Sequence, residues 1–197
     1  MQDIRICYVG DSFVNGTGDP EKLGWTGRLS SMSESRERQI THYNLGVRRE
    51  TSADILRRWE DEVSCRLVDS EETYVVFSFG VNDTVWEEGG VRIGLTESLE
   101  NLEKIVLKAK KHYPVIMVGP PPVEDEEQNE RIKRYDAAYR EFCEEYFVAY
   151  LSIFDRLSSN ETWGREVSGN DGAHPHAKGY KLLADTVYQW DTWWFKG

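Results

Sequence analysis

The sequence predicts a single α/β domain in which helices cover both faces of a mostly parallel, five-stranded sheet. Short runs of β-branched and aromatic residues alternate with longer segments in which apolar residues recur every three to four positions. Such alternation is typical of strand–helix–strand units with parallel strands. The chain has 197 residues, which fits one domain, and no repeat or low-complexity linker divides residues 1–197.

Five strands are predicted from short apolar runs, most of which end at glycine. The clearest covers residues 74–79, where Tyr, Val and Phe crowd together before Gly80. The other four cover residues 4–9, 40–45, 115–118 and 147–151. Because helical segments separate them, parallel pairing is favoured.

Four helices are predicted from apolar residues that share one helical face. The first follows the capping residues Thr51 and Ser52, and it carries Ile55, Trp59 and Val63 at four-residue spacing. The other three cover residues 95–106, 132–146 and about 176–187. Helices between successive strands complete the expected layered arrangement.

Composition and charge limit the classes of function. The formal net charge is −11, and so acidic a surface repels phosphate, which argues against a nucleic acid or an anionic membrane as partner. No apolar run approaches the roughly 20 residues of a transmembrane helix, and the N-terminus lacks the basic and apolar parts of a signal peptide. Three widely spaced cysteines indicate reduced thiols, so we expect a cytoplasmic protein. No cluster has metal-ligand spacing, and we expect neither metal nor cofactor.

Residues with useful chemistry follow the predicted strands. In an open parallel sheet, binding sites form beyond the carboxyl ends of the strands. Gly10-Asp11-Ser12 follows the first strand, Asn44-Leu45-Gly46 closes the second, and Gly80-Val81-Asn82-Asp83 follows the third. Asp171-Gly172-Ala173-His174 lies just before the last helix. All four segments are therefore expected on one rim of the sheet.

These segments hold the groups that acyl transfer needs. A serine hydroxyl is a weak nucleophile until a base takes its proton, and His174 is a suitable base for Ser12. Asp171, three residues before the histidine, can orient the imidazole and stabilise its charged form. The developing oxyanion needs hydrogen-bond donors, which the Gly46 N–H and the Asn82 amide can supply.

Together the four segments resemble the sequence blocks of the SGNH hydrolase superfamily, also called the GDSL esterases and lipases. The Gly-Asp-Ser, glycine, Gly-x-Asn-Asp and Asp-x-x-His blocks occur in the family's order across almost the whole chain. Phe13 stands where the family often has leucine. Ala173 replaces a more typical branched apolar residue, which we expect to widen the leaving-group side of the site.

The resemblance implies a flavodoxin-like, three-layer α/β/α sandwich and a cofactor-free serine hydrolase. It makes Ser12 the nucleophile, His174 the base and Asp171 its orienting partner. The oxyanion hole would then combine the Ser12 and Gly46 N–H groups with the Asn82 side chain. The implied reaction is hydrolysis of a small or short-acyl carboxylic ester through an acyl-enzyme. Arylesterases, thioesterases, lysophospholipases and carbohydrate O-deacetylases share these blocks.

Three further residues are expected to contact the substrate. Asp11, Trp86 and Pro121 all lie in segments that follow predicted strands. The segment that carries Trp86 is short, which argues against a large lid over the site.

Some alternatives stay open at the level of sequence. The same rim would suit a non-catalytic module that binds a phosphate or another small anion. His176 competes with His174 for the role of base because it lies only two residues away. The aromatic tail, residues 190–195, is expected to pack on the domain's own edge, although it would also suit a partner surface. The oligomeric state is open.

Overall fold

The central sheet has five strands, all parallel, as the sequence predicts. The computed structural model describes residues 2–67 and 72–196. Its strands are β1 (Gln2–Gly10), β2 (Arg38–Gly46), β3 (Glu72–Ser78), β6 (Val115–Val118) and β7 (Ala149–Leu151), with a short antiparallel hairpin of β4 (Trp86–Glu87) and β5 (Gly90–Val91). The order across the sheet is β2-β1-β3-β6-β7, and each neighbouring pair is parallel.

Helices cover both faces of the sheet. They are α1 (Ser12–Asn15), α2 (Gly24–Ser33), α3 (Ser52–Ser64), α4 (Leu95–Ala109), α5 (Glu126–Glu145), α6 (Phe154–Ser158), α7 (Glu161–Ser168) and α8 (Ala177–Gln189). Along β1, Ile6 and Tyr8 face a core shared with α2 and α8, whereas Cys7 and Val9 face a second core shared with α3 and α4. This alternation produces the expected three-layer α/β/α sandwich.

The strand order places a crevice beside β1. The chain continues from β1 to β2 on one side and later to β3 on the other, so strand order reverses there. Gly10 pairs with Gly46 of β2 and with Ser78 of β3, so the segments that follow these strands leave the sheet at one level. In open α/β sheets this reversal point is where ligands bind.

Several elements were not predicted from the sequence. Helix α2 has no continuous apolar stripe, because its buried face includes the polar residues Thr26, Ser30 and Ser33. Strand β7 begins later than expected, since Phe147 has a left-handed φ of 54° and is 87% exposed. The short helices α6 and α7 were also missed.

The aromatic tail packs on its own domain, as expected. Trp193 and Phe195 are buried in the core beside α2 and α8, and the Phe195 ring lies 4.8 Å from that of Tyr74. Among residues 2–67 and 72–196, no helix is both long and apolar enough to cross a bilayer.

Candidate active site

The structure brings Ser12, His174 and Asp171 into one chain of hydrogen bonds. Ser12 Oγ lies 2.7 Å from His174 Nε2, and His174 Nδ1 lies 2.7 Å from Asp171 Oδ2. A carboxylate can only accept at this distance, so the proton of the neutral imidazole sits on Nδ1. The Nε2 lone pair is then free to accept the Ser12 proton, which is the arrangement a serine nucleophile requires.

Ser12 is placed at the junction of β1 and α1. Asp11 caps this short helix by accepting a hydrogen bond from Phe13 N at 2.9 Å, and Gly16 ends it in the left-handed region at a φ of 81°. The Ser12 N–H belongs to the first helical turn, where no intrahelical acceptor exists. It is therefore a candidate donor to a bound oxyanion.

Asp171 holds the histidine loop as well as the imidazole. Its Oδ1 accepts from the His174 and Ala173 N–H groups at 2.8 and 3.1 Å, while Oδ2 faces the ring. Burial raises the pKa of Asp171, but these N–H donors and the imidazole outweigh burial and keep the pKa below its ordinary value. The carboxylate therefore stays ionised, as an orienting partner must.

Contacts from other elements fix the His174 ring and loop. The Phe13 ring lies 4.8 Å from the imidazole, and Asn170 Nδ2 donates to His174 O at 2.9 Å. Gly18 packs so closely on this loop that a Cβ there would lie 2.5 Å from Asn170 Nδ2. Neither support was predicted: Phe13 is distant from His174 in sequence, and Asn170, four residues before it, carries no sequence signal for this hydrogen bond.

His176, the alternative base, lies outside the triad. Its Nδ1 is 2.8 Å from the Gly18 carbonyl oxygen, and it occupies the N-cap position of α8. The geometry thus favours His174 over His176.

Asn82 is well placed to donate a hydrogen bond. It opens a short 3-10 turn in the loop that follows β3, and its Nδ2 donates to the Glu50 carbonyl at 3.0 Å. An amide nitrogen carries two hydrogens, so one remains for a ligand. A carbonyl oxygen can only accept a hydrogen bond. The atom of the Asn82 amide that faces Glu50 O must therefore be the nitrogen and not the oxygen.

Gly46 does not have the geometry expected of an oxyanion donor. Its N–H donates to Asn44 Oδ1 at 3.0 Å, and a Cβ there would lie 2.1 Å from Asn15 N. Close packing against α1 therefore explains the glycine. Among the described residues, the N–H groups of Arg48 and Arg49 have no hydrogen-bond acceptor, so the same loop still offers main-chain donors.

The three expected substrate contacts occupy different environments. Trp86 is 60% exposed on the β4–β5 hairpin, and the Arg131 guanidinium lies 5.9 Å from its ring centroid. Asp11 and Pro121 are buried, so neither side chain offers the surface that substrate contact needs. For these two residues the structure does not support the expectation.

Two buried carboxyl groups lie under the site. Burial raises the pKa of Asp11 to about 7, and the nearby carboxylates of Asp83 and Glu50 also raise it. Burial likewise raises the pKa of Asp83, which accepts from Ser52 N and from Ser98 Oγ at 2.7 and 2.6 Å. Asp83 thus connects α3 to α4.

A shallow groove runs beside Asp171. Its volume is about 410 Å³, and it is lined by Val123, Glu124, Asp125, Gln128, Asp171, Gly172 and Ala173. Three of these residues are acidic, so the groove disfavours anionic groups. In the part of the chain that the structure describes, no three His, Cys, Asp or Glu side chains are arranged to hold a metal.

Fold and site together define an α/β/α protein with a Ser–His–Asp triad at the strand-order reversal. Residues 8–182 match the GDSL-like lipase/acylhydrolase family, and the chain belongs to this family. It is 26% identical to the uncharacterized protein YpmR of Bacillus subtilis strain 168, over 95% of this chain and 81% of that protein.

Two solved structures show the same fold. One is a member of the lipolytic protein G-D-S-L family from Veillonella parvula, with a TM-score of 0.78, 18% identity and coverage of 96% of this chain and 98% of that one. The other is a catalytic mutant of Axe2, an acetylxylan esterase from Geobacillus stearothermophilus. Its TM-score is 0.75 at 18% identity, over 94% of this chain and 92% of that one.

Proposed function

We propose that this protein hydrolyses small carboxylic esters through an acyl-enzyme on Ser12. The observation that carries the proposal is the chain of two 2.7 Å hydrogen bonds from Ser12 through His174 to Asp171. Membership of an acylhydrolase family supports the same reaction class.

The proposed reaction has two halves. Ser12 Oγ attacks the ester carbonyl carbon while its proton passes to His174 Nε2, and the carbonyl oxygen becomes an oxyanion. The intermediate collapses with cleavage of the bond to the alcohol oxygen, which takes the proton from His174 and leaves. Water then gives its proton to His174 and attacks the acyl-enzyme, and collapse releases the acid and returns the proton to Ser12.

In this proposal the oxyanion is held by donors from the loops that follow three strands, β1, β2 and β3. We assign these to the Ser12 N–H and to the second Nδ2 hydrogen of Asn82, with a main-chain N–H of Arg48 or Arg49 in place of the predicted Gly46. Hydrogen-bond donors that are already in position stabilise the transition state most strongly, because the negative charge develops only there.

An acetylated carbohydrate is the substrate class that the rim favours within this proposal. Trp86 presents an exposed ring on a short hairpin, and exposed aromatic rings suit the apolar face of a sugar. The acidic groove disfavours phosphate-bearing substrates such as lysophospholipids. The acetylxylan esterase activity named for the Geobacillus protein is consistent with this choice. The three free cysteines fit the reducing cytoplasm, where we place the protein.

A substrate screen tests the proposal. p-Nitrophenyl esters of increasing chain length, acetylated xylo-oligosaccharides and a lysophospholipid are incubated with the wild type and with Ser12→Ala. We expect acetyl esters to be cleaved fastest and Ser12→Ala to fall to background. A binding module without catalysis would cleave none of them and would retain its ligand in Ser12→Ala.

A further inference from the structure

Arg58 of α3 connects the ends of β1 and β2. Its Nη2 donates to the carbonyl oxygens of Gly10 and Leu45 at 3.1 and 3.0 Å, and its Nε donates to Glu50 Oε2 at 2.6 Å. Its Nη1 also donates to Glu62 Oε2 at 3.2 Å. The Arg58 side chain is only 16% exposed, and the Glu50 side chain 19%. One planar guanidinium therefore holds two strand ends and a loop carboxylate together.

The residues that Arg58 holds are directly linked to the proposed oxyanion hole. Gly10 lies two positions before Ser12, and the Glu50 carbonyl accepts the Asn82 Nδ2 hydrogen bond. A side-chain amide that lost this acceptor could rotate and present its oxygen, which would repel an oxyanion. The position of Glu50 thus decides which end of the Asn82 amide faces the substrate.

We propose that Arg58 is a positioning residue for the oxyanion hole, acting through Glu50 on the Asn82 amide. The inference rests on the proposed esterase function, but it makes a separate claim about how Asn82 is oriented. Arg58 touches no substrate in this account. Its effect on kcat therefore passes through Asn82.

The neighbouring arginine provides a matched control. Arg57 is on the same helix, its side chain is 71% exposed, and it pairs with Asp54 at the surface. Arg58→Met should lower kcat by roughly tenfold with KM changed less than about twofold, because the oxyanion forms mainly in the transition state. Glu50→Gln should act in the same direction. Arg57→Met should leave both constants at wild-type values.

A double-mutant cycle separates positioning from general destabilisation. In an Asn82→Ala background, Arg58→Met should lower kcat by less than about twofold further, since the amide it orients is gone. An equal roughly tenfold loss in both backgrounds would overturn the inference, as would unchanged kcat in Arg58→Met. If Arg58→Met fails to fold, Glu50→Gln takes its place in the cycle.

A second readout does not depend on catalysis. Hydrogen exchange of the Asn82 side-chain amide, followed by NMR, should be faster in Arg58→Met than in the wild type and unchanged in Arg57→Met. If the wild type cleaves no ester, the proposed function fails and this exchange alone decides the inference. Equal exchange in both arginine variants would contradict it.

Discussion

At the scale of single residues, two aspartates beside Ser12 and His174 differ in how their carboxyl oxygens are bound. Asp171 binds the loop backbone with one oxygen and the imidazole with the other, so its geometry is fixed without help from the ring. Asp11 caps the helix of the nucleophile with Oδ1, whereas its buried Oδ2 has no partner among the described residues. The pKa of Asp171 is therefore lowered, because its charged form is stabilised. The pKa of Asp11 is raised, because burial destabilises its charged form.

The two neighbouring histidines should differ sharply on substitution. His174→Ala should lower kcat by roughly 10²–10⁴-fold, because it removes the proposed general base. His176→Ala should keep nearly full activity, since its ring is hydrogen-bonded to the Gly18 carbonyl oxygen rather than to Ser12 or Asp171. Asp171→Asn should cost less than His174→Ala, because an amide oxygen can still accept from Nδ1. Steady-state kinetics on one ester check the series, and loss of activity in His176→Ala with retention in His174→Ala would reverse the assignment.

Asp11 should make the protein less stable as the pH rises toward neutrality. Its pKa in the folded state is about 7, above the ordinary value of 3.8, so between these values the folded state binds more protons than the unfolded state. Its contribution to the free energy of unfolding is therefore full at low pH and is lost as the pH rises through about 7.

Asp11→Asn should remove this slope, which is at most about 1.4 kcal/mol per pH unit for one proton. Urea unfolding of the wild type and the variant from about pH 4 to 8 measures the difference in stability. The stability of Asp11→Asn relative to the wild type should rise with pH. A difference that stays constant across this range would show that Asp11 does not titrate as described.

At the scale of elements, the site is built from loops at the carboxyl ends of β1, β2 and β3. The parallel register brings Gly10, Gly46 and Ser78 to one level, so the loops that follow meet without long connections. Asp83 then ties the turn after β3 to the N-terminus of α3 through Ser52. Hydrogen bonds between elements therefore help to hold the loops of the proposed site in place.

Asn82→Ala should affect the transition state more than substrate binding. We expect kcat to fall by roughly 10²–10³-fold with little change in KM, because the lost donor serves a charge that develops during the reaction. Kinetics and thermal unfolding are measured on the same preparation. A large drop in melting temperature, with kcat preserved per folded molecule, would make Asn82 a structural turn residue instead.

Much of this element-scale picture could be predicted from the sequence, for identifiable reasons. The buried strands have β-branched and aromatic runs that end at glycine, and α3 shows both its cap and its stripe. Helix α2 could not be predicted, because its buried polar residues hide the helical period. The role of Gly46 could not be predicted either. A glycine required by close packing cannot be distinguished in sequence from a glycine that presents its N–H to a ligand.

At the scale of the whole molecule, two separate cores stabilise the sheet. The core beside α2 and α8 also contains Trp193 and Phe195 of the tail. Trp193 Nε1 donates to Ser33 Oγ at 2.9 Å. The Arg38 guanidinium lies 5.4 Å from the Phe195 ring centroid. The tail contacts the segment that enters β2, so it covers the end of the sheet opposite the proposed active site.

Trp193→Ala should destabilise the protein without changing catalysis per folded molecule. Loss of a buried indole costs about 3–5 kcal/mol, and Trp193 is only 3% exposed. Trp86→Ala is the matched control, because its exposed ring should contribute little to stability. Denaturant unfolding compares the two, and unchanged stability in Trp193→Ala would favour a partner surface over a core role for the tail.

The central claim is that Ser12 is a nucleophile activated by His174, and covalent labelling tests it most directly. The wild type is treated with a fluorophosphonate, and the modified residue is located by mass spectrometry. We expect one adduct, on Ser12, that is absent in Ser12→Ala and forms far more slowly in His174→Ala. No adduct on the wild-type protein, or an adduct on a different serine, would contradict the account.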